Sequence, residues 1–194
     1  MKTNVRAYTD KELLNRVCRL SNFKNIPAEY WVLGVRSNED GPDGFDDKGY
    51  LYRGPTCISV FSMTTNPGTK SLKGYKSYNP LGSAIMASDM WHHDIWSYGL
   101  HRGKMPALKQ VNECYYYRDG DMDVKSEELG SLRKGLIGLN FHTATYTKNM
   151  NFIRRFIGGW SAGCQVLNFT SMYYSVIKKV KHQKYVSYCL INEF

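Results

Sequence analysis

From Tyr30 onward, clusters of glycine, proline, asparagine and aspartate break the chain into short β-branched or aromatic segments. Segments of this kind are typical of strands, and the clusters between them are typical of turns. Strands are predicted at YWVLGV, CISVFSM, VNECYYY, LIGLNF (136–141) and YVSYCLI (185–191). The pattern therefore predicts a mainly β (α+β) architecture. Loops are predicted over 37–49 and 64–82, and the second is long enough to suggest a functional role.

Two helices are predicted to accompany the strands. Thr9 and Glu12 form a capping-box pattern, and Leu13, Leu14, Val17 and Leu20 follow at helical spacing, so an N-terminal helix should run to about Arg19 or Ser21. Near the end of the chain, with Asn168 or Thr170 as the N-cap, a second helix is predicted from an apolar stripe. The stripe consists of Phe169, Met172, Tyr173, Val176, Ile177 and Val180.

The length of 194 residues fits one domain, 1–194, with an N-terminal helical segment at 1–24 and a main body at 30–194. A hydrophobic content of 42% excludes an intrinsically disordered chain. No run of 18 apolar residues is present, so membrane insertion is not expected. The N-terminus lacks the apolar core of a secretory signal, which predicts synthesis in the cytoplasm.

The net charge of +9 is concentrated in the last third of the chain. Residues 131–194 hold nine Lys and Arg against the single acid Glu193, a net of +8, which leaves +1 for residues 1–130. Such a field attracts nucleic acid, acidic cell-wall polymers or carboxylate-rich substrates alike. No nucleic-acid-binding motif is recognisable, so a specific nucleic-acid partner is not predicted.

The five cysteines are Cys18, Cys57, Cys114, Cys164 and Cys189. An odd number of scattered cysteines without a CxxC pair favours free thiols over a disulfide framework or a zinc knuckle.

The stretch around one of these thiols has the residues that nucleophilic catalysis needs. His142 leaves a predicted strand, and Cys164 follows 22 residues later, behind Ala162 and Gly163 and ahead of a predicted helix. A nearby imidazolium and a helix N-terminus would both lower the pKa of a thiol. The amides of Gly163 and Cys164 could donate to an oxyanion. The alternative is that Cys164 is a small buried residue and His142 a satisfied core histidine.

The segment Ser161-Ala162-Gly163-Cys164-Gln165, with His142 upstream, resembles the His…Ser-His-Gly-Cys-x-Arg signature of L,D-transpeptidases, the YkuD-like fold. The runs TTNPG, NPLGSA, GLHRGKMPALKQV, YRDGDMD, GLNFH and GGWSAGCQV are similar to those of phage-encoded relatives. The resemblance covers roughly 30–194. It implies a β-sandwich or barrel with a helix after the cysteine.

In that family the cysteine attacks the stem peptide of peptidoglycan and the histidine is its base. The resemblance therefore implies catalytic roles for Cys164, His142, Gly163 and Ser161. The chain departs from the family at Ala162, which stands where the second family histidine would be. His101 is a candidate to supply a second imidazole. The substrate-binding candidates are His101, Arg102, Lys104, Arg118, Trp160 and Gln165.

No metal or cofactor is predicted. Asp119, Asp121 and Asp123 begin like a calcium loop, but Val124 replaces the glycine that such a loop needs, so a polar turn with at most a loosely bound cation is expected. His92 and His93 lack the frame of a zinc site.

The leading functional hypothesis is a cysteine peptidase or transpeptidase that acts on bacterial peptidoglycan stem peptides through a thioester, as a phage cell-wall-degrading enzyme. The alternative is a binding or virion structural module that kept the fold and lost turnover. The oligomeric state is left open.

Overall fold

The computed structural model describes residues 4–39, 41–77, 79–147 and 149–194. The segment predicted over 1–24 and the loops predicted over 37–49 and 64–82 thus include positions outside the described residues, namely 1–3, Asp40 and Tyr78. Eight strands close into a barrel in the order β1-β11-β5-β6-β9-β10-β3-β2. They are β1 (Tyr30–Arg36), β2 (Asp47–Arg53), β3 (Thr56–Thr64), β5 (Met90–His101), β6 (Met105–Gln110), β9 (Phe141–Thr143), β10 (Gln165–Leu167) and β11 (Val186–Asn192).

A second sheet lies beside the barrel, with strand order β4-β7-β8. It consists of β4 (Ser83–Met86), β7 (Cys114–Asp119) and β8 (Arg133–Gly135). All of its pairs are antiparallel. In the barrel, β1 with β11 and β9 with β10 are parallel, and the other pairs are antiparallel.

Apolar side chains from the barrel, the second sheet and a late helix share one core. The helix is α3 (Thr170–Val180), and its Tyr173, Val176, Ile177 and Val180 are buried against Phe141, Trp96 and Tyr188. Its Lys178 and Lys179 are exposed. Because one face is apolar and the other charged, α3 covers the barrel core and presents its lysines to solvent.

The first helix packs on the outside of the barrel. Helix α1 (Asp10–Cys18) begins at a complete Thr9–Glu12 capping box and buries Leu13 and Val17. These two side chains lie in an apolar cluster with Trp31 and Trp91, on strands β1 and β5.

Both predicted helices and most predicted strands are confirmed. The loop predicted over 37–49 is wrong at 47–49, which begin β2, and strands β2, β4, β5, β6, β8 and β10 were not predicted. The chain is mainly β, it has a helix at the start, and α3 follows Cys164 and precedes the last strand. The loop predicted over 64–82 contains a short helix, α2 (Thr69–Gly74), and a 3₁₀ turn at Tyr75–Ser77. The predicted N-caps of α3 are wrong, because Phe169 occupies that position without a side-chain cap.

The strand predicted over 136–141 is wrong except at Phe141. Instead of pairing with a strand, the N–H groups of Ile137, Gly138 and Leu139 all donate to the side-chain oxygen of Gln110, at 3.1, 2.7 and 2.9 Å. The apolar alternation is real, since Leu139 and Phe141 are buried. It therefore reflects burial and not strand pairing.

Close packing inside the barrel predicts that a larger residue at Gly34 destabilises the protein. A Cβ at Gly34 would lie 2.1 Å from the Tyr188 hydroxyl oxygen, whereas a Cβ at the exposed Gly74 meets nothing within 4 Å. We expect Gly34→Ala to lower the free energy of unfolding by about 1–3 kcal/mol, because overpacking forces neighbouring side chains to move. Gly74→Ala, in α2, is the matched control and should not destabilise. Urea unfolding of both variants measures this, and an unchanged Gly34→Ala would contradict the packing described.

Candidate functional site

Cys164 lies at the end of a tight turn that leads directly into β10. The Ser161 hydroxyl donates to the Cys164 carbonyl at 2.8 Å and accepts from the Gly163 amide at 3.1 Å. Ser161 is fully buried. Its side chain therefore fixes the backbone around the thiol and does not contact solvent.

Glycine is required immediately before the nucleophile candidate. Gly163 has a φ of +121°, and a Cβ there would lie 2.3 Å from the Ala84 carbonyl oxygen of β4. Strand β4 of the second sheet thus packs closely against the turn that precedes Cys164. Ala162, where the resemblance would place a histidine, is exposed.

The parallel pairing of β9 and β10 places His142 on the strand next to the one that begins directly after Cys164. Val166 lies opposite His142 in the register, and Cys164 precedes Val166 by two residues. Alternation along a strand places Cys164 on the same face as Val166, and both pack on one apolar cluster outside the barrel.

The orientation of the His142 ring defines its tautomer. Its Nδ1 lies 2.8 Å from the Thr143 carbonyl oxygen, which can only accept, so Nδ1 carries the proton of the neutral ring. Nε2 is therefore a lone-pair acceptor. His142 is 1% exposed, and its Nε2 has no hydrogen-bond partner among the residues that the structure describes.

Burial keeps both groups uncharged in the resting site. Desolvation lowers the pKa of His142 to about 3, with further lowering by the charges of His101 and Arg102. Desolvation raises the pKa of the partly exposed Cys164 to about 11, against smaller lowering effects from the Asn140 backbone and Arg102.

The prediction of a helix N-terminus beside the thiol is wrong. Strand β10 separates Cys164 from α3, which begins only at Thr170. The resting dyad is accordingly a thiol and a neutral imidazole.

A second imidazole lies against the first. His101 ends β5, and its ring stacks on that of His142 with centroids 4.2 Å apart. The Asn140 side-chain amide lies 3.0 Å from His101 Nδ1. Desolvation, Arg102 and Lys109 lower the pKa of His101, in that order.

Sequence reasoning missed Gln110 and Asn140, which together organise this region. Gln110 donates from its backbone to Asn140 Oδ1 at 2.8 Å and holds Gly138 through its side chain. The Gly138 carbonyl in turn lies 3.6 Å from the Cys164 sulfur. Asn140 stands two residues before His142, a spacing that places both on one strand face, and this signal could have found it. Nothing local in the sequence marks Gln110.

The predicted basic residues lie at different distances from the dyad. Arg102 and Lys104 are exposed in the β5–β6 turn, and the charge of Arg102 acts on His101, His142 and Cys164. Arg118, on β7, donates to the Gly82 carbonyl at 3.1 Å, and no contact among the described residues joins it to the dyad.

Of the two remaining predicted substrate-binding residues, Trp160 packs near Cys164 and Gln165 is buried. Trp160 is partly exposed and packs on the same apolar cluster as Cys164, with its ring 5.1 Å from that of Tyr146. Gln165 does not face a cleft. It is fully buried, donates to the Thr65 and Gly163 carbonyls, and accepts from the Tyr188 hydroxyl at 2.7 Å. Its role is therefore structural.

The other candidate motifs stand apart from the dyad. Carboxylate oxygens of Asp121, Asp123 and Glu127 lie within 4.8 Å of one another, with both aspartates exposed. His92 and His93 hydrogen-bond to the carbonyls of Ala87 and Asn22. These histidine contacts satisfy backbone groups, as expected for structural residues.

Comparison with known proteins gives no further assignment: no protein family, no curated protein and no solved structure matches the chain significantly. In the described part of the chain, no helix has the length and apolar character needed to cross a membrane.

The raised pKa of the Cys164 thiol predicts a pH profile. With a pKa of about 11, Cys164 should react with iodoacetamide ever faster from pH 7 to pH 10, by about tenfold per pH unit, because only the thiolate reacts. Peptide mapping by mass spectrometry follows the label on each cysteine, with Cys164→Ala as the control. A rate that levels off below pH 8 would instead indicate a preformed thiolate and contradict the neutral dyad.

Proposed function

We propose that the chain is a cysteine-dependent acyl-transfer enzyme that acts on stem peptides of bacterial peptidoglycan, at a bond next to a D-centre. The observation that carries the proposal is the orientation of His142. A backbone carbonyl holds its Nδ1–H, which leaves Nε2 buried without a hydrogen-bond partner among the described residues, on the strand that pairs with the one directly after Cys164. His92 also has one buried ring nitrogen without a partner among the described residues, so His142 is distinguished by its strand, which pairs with the one that follows Cys164.

In the proposed reaction, the Cys164 sulfur attacks the substrate carbonyl carbon and its proton passes to His142 Nε2. The tetrahedral intermediate collapses, the C–N bond breaks, and His142 returns the proton to the leaving amine. A thioester remains on Cys164. Water or an acceptor amine then attacks it, giving up a proton to His142, and the thiol is regenerated. Water as acceptor makes a hydrolase, and an amine makes a transpeptidase.

The neutral resting forms of Cys164 and His142 constrain this sequence of steps. Burial disfavours both the Cys164 thiolate and the His142 imidazolium. The proton therefore moves from sulfur to His142 while the sulfur attacks the carbonyl carbon, and no ion pair forms beforehand. Asn140 and Arg102 act in the direction that stabilises the thiolate as it develops.

Substrate recognition is attributed to the rim of the site. Arg102 and Lys104 lie in the β5–β6 turn beside His101, and Arg154 lies 5.5 Å from the Trp160 ring. Cationic side chains at these positions suit the free carboxylates of stem peptides. The excess of positive charge in residues 131–194 suits an anionic wall in the same way.

The finer fold assignment belongs to the same proposal. The barrel is compatible with an L,D-transpeptidase-like domain from a phage. Cys164 immediately precedes one strand, and His142 lies on the parallel neighbour of that strand. The protein would then be synthesised in the host cytoplasm and act on the cell wall.

Loss of either dyad residue should abolish wall cleavage. We expect Cys164→Ala and His142→Ala to reduce the release of amino groups from purified peptidoglycan by at least about 10³-fold, because nucleophile and base act as one unit. Cys57→Ser, which alters another partly exposed thiol, is the matched control and should retain activity.

Thermal unfolding of each variant separates lost chemistry from lost fold. Cleavage by Cys164→Ala at the wild-type rate would remove the proposed mechanism. Wall binding by the wild-type protein without any cleavage would favour the noncatalytic binding module.

A further inference from the structure

Acyl transfer at Cys164 requires hydrogen-bond donors for the negative oxygen of the tetrahedral intermediate. The sequence points to the amides of Gly163 and Cys164. The Gly163 amide, however, already donates to the Ser161 hydroxyl at 3.1 Å. The site therefore needs another donor besides the Cys164 amide.

The hydrogen bonds of Asn140 determine which nitrogen of His101 is protonated. Asn140 Oδ1 accepts the backbone N–H of Gln110, so its other side-chain atom is the NH₂ group. That group faces His101 Nδ1 at 3.0 Å, and Nδ1 must therefore accept. In the neutral ring the proton is on Nε2, which makes Nε2–H a donor.

His101 lies directly beside the proposed base, His142. Its ring stacks on that of His142 at 4.2 Å. The Asn140 carbonyl accepts the N–H of Gln165, the residue after Cys164, at 2.8 Å, while the Asn140 side chain holds His101. Asn140 thus contacts both His101 and the residue after Cys164. His101 is only partly buried, so its free edge is accessible to a bound substrate.

We propose that His101 is a catalytic hydrogen-bond donor, whose Nε2–H binds the oxyanion that forms when Cys164 attacks a carbonyl. Asn140 and Gln110 are positioning residues that hold the required tautomer. This inference rests on the proposed acyl transfer at Cys164 but not on the identity of the peptide substrate.

Two small reagents separate this role from an effect on the thiol itself. p-Nitrophenyl acetate acylates a thiolate through an oxyanion and releases p-nitrophenolate, whereas iodoacetamide alkylates it by displacement of iodide without one. Both reactions are measured at pH 9 in a Cys18→Ser, Cys57→Ser background. The only cysteines left beside Cys164 are then Cys114 and Cys189, which are buried.

We expect His101→Ala to lower the acylation rate of Cys164 by about 10²-fold, the usual effect of removing one oxyanion donor, and to leave the alkylation rate within about twofold. His101→Gln, which offers an amide N–H near the position of Nε2, should recover part of the acylation rate. The matched control is Tyr98→Ala, at another exposed position of β5, and should change neither rate.

Equal acylation by the wild-type and His101→Ala proteins would overturn the proposal. An equal fall in acylation and alkylation would also overturn it, since His101 would then act on the thiol. Failure of the wild-type protein to be acylated at Cys164 would remove both this proposal and the proposed function. Acylation that depends on His101, without cleavage of peptidoglycan, would uphold the donor and refute only the substrate class.

The tautomer has a test that does not depend on activity. Nitrogen-15 NMR of the labelled protein should find the His101 proton on Nε2 at neutral pH. A proton on Nδ1 would contradict the hydrogen-bond arrangement on which the proposal stands.

Discussion

The parallel pairing of β9 with β10 is the contact on which the candidate site depends. It places Val166 opposite His142, and through Val166 it fixes the position of Cys164. A shift of one residue in this register would turn the histidine or the thiol to the other side of the strand. Three contacts hold the register. The buried Ser161 hydroxyl donates to the Cys164 carbonyl, β4 packs closely against Gly163, and the Gln165 side chain accepts a hydrogen bond from Tyr188 inside the barrel.

Desolvation is the second constraint. It makes the neutral thiol and the neutral imidazole the stable forms, so reactivity must come from positioned hydrogen bonds and not from a preformed ion pair. His101 reinforces this, because its ring, stacked on His142 at 4.2 Å, disfavours protonation of His142. Asn140 then controls the second ring through a single side-chain hydrogen bond.

Sequence patterns predicted the helices, which depend on residues close together in the chain. The capping box at Thr9 and the apolar stripe of α3 identified both longer helices. They could not predict contacts between distant segments. The oxygen of Gln110 captures three consecutive amides of 137–139, and this prevented the strand that the alternation of Ile137, Leu139 and Phe141 suggests. Likewise, Gln165 resembled a cleft residue until the barrel placed it beside Tyr188.

The central claim is that Cys164 forms a thioester with a wall peptide. The most direct measurement is intact-mass analysis of the protein after incubation with purified peptidoglycan stem peptides, followed by peptide mapping. A thioester mechanism predicts an added mass equal to the acyl part of the donor, located on Cys164, removable by hydroxylamine and absent from Cys164→Ala. A folded wild-type protein that acquires no adduct, or acquires it on Cys18, would contradict the account.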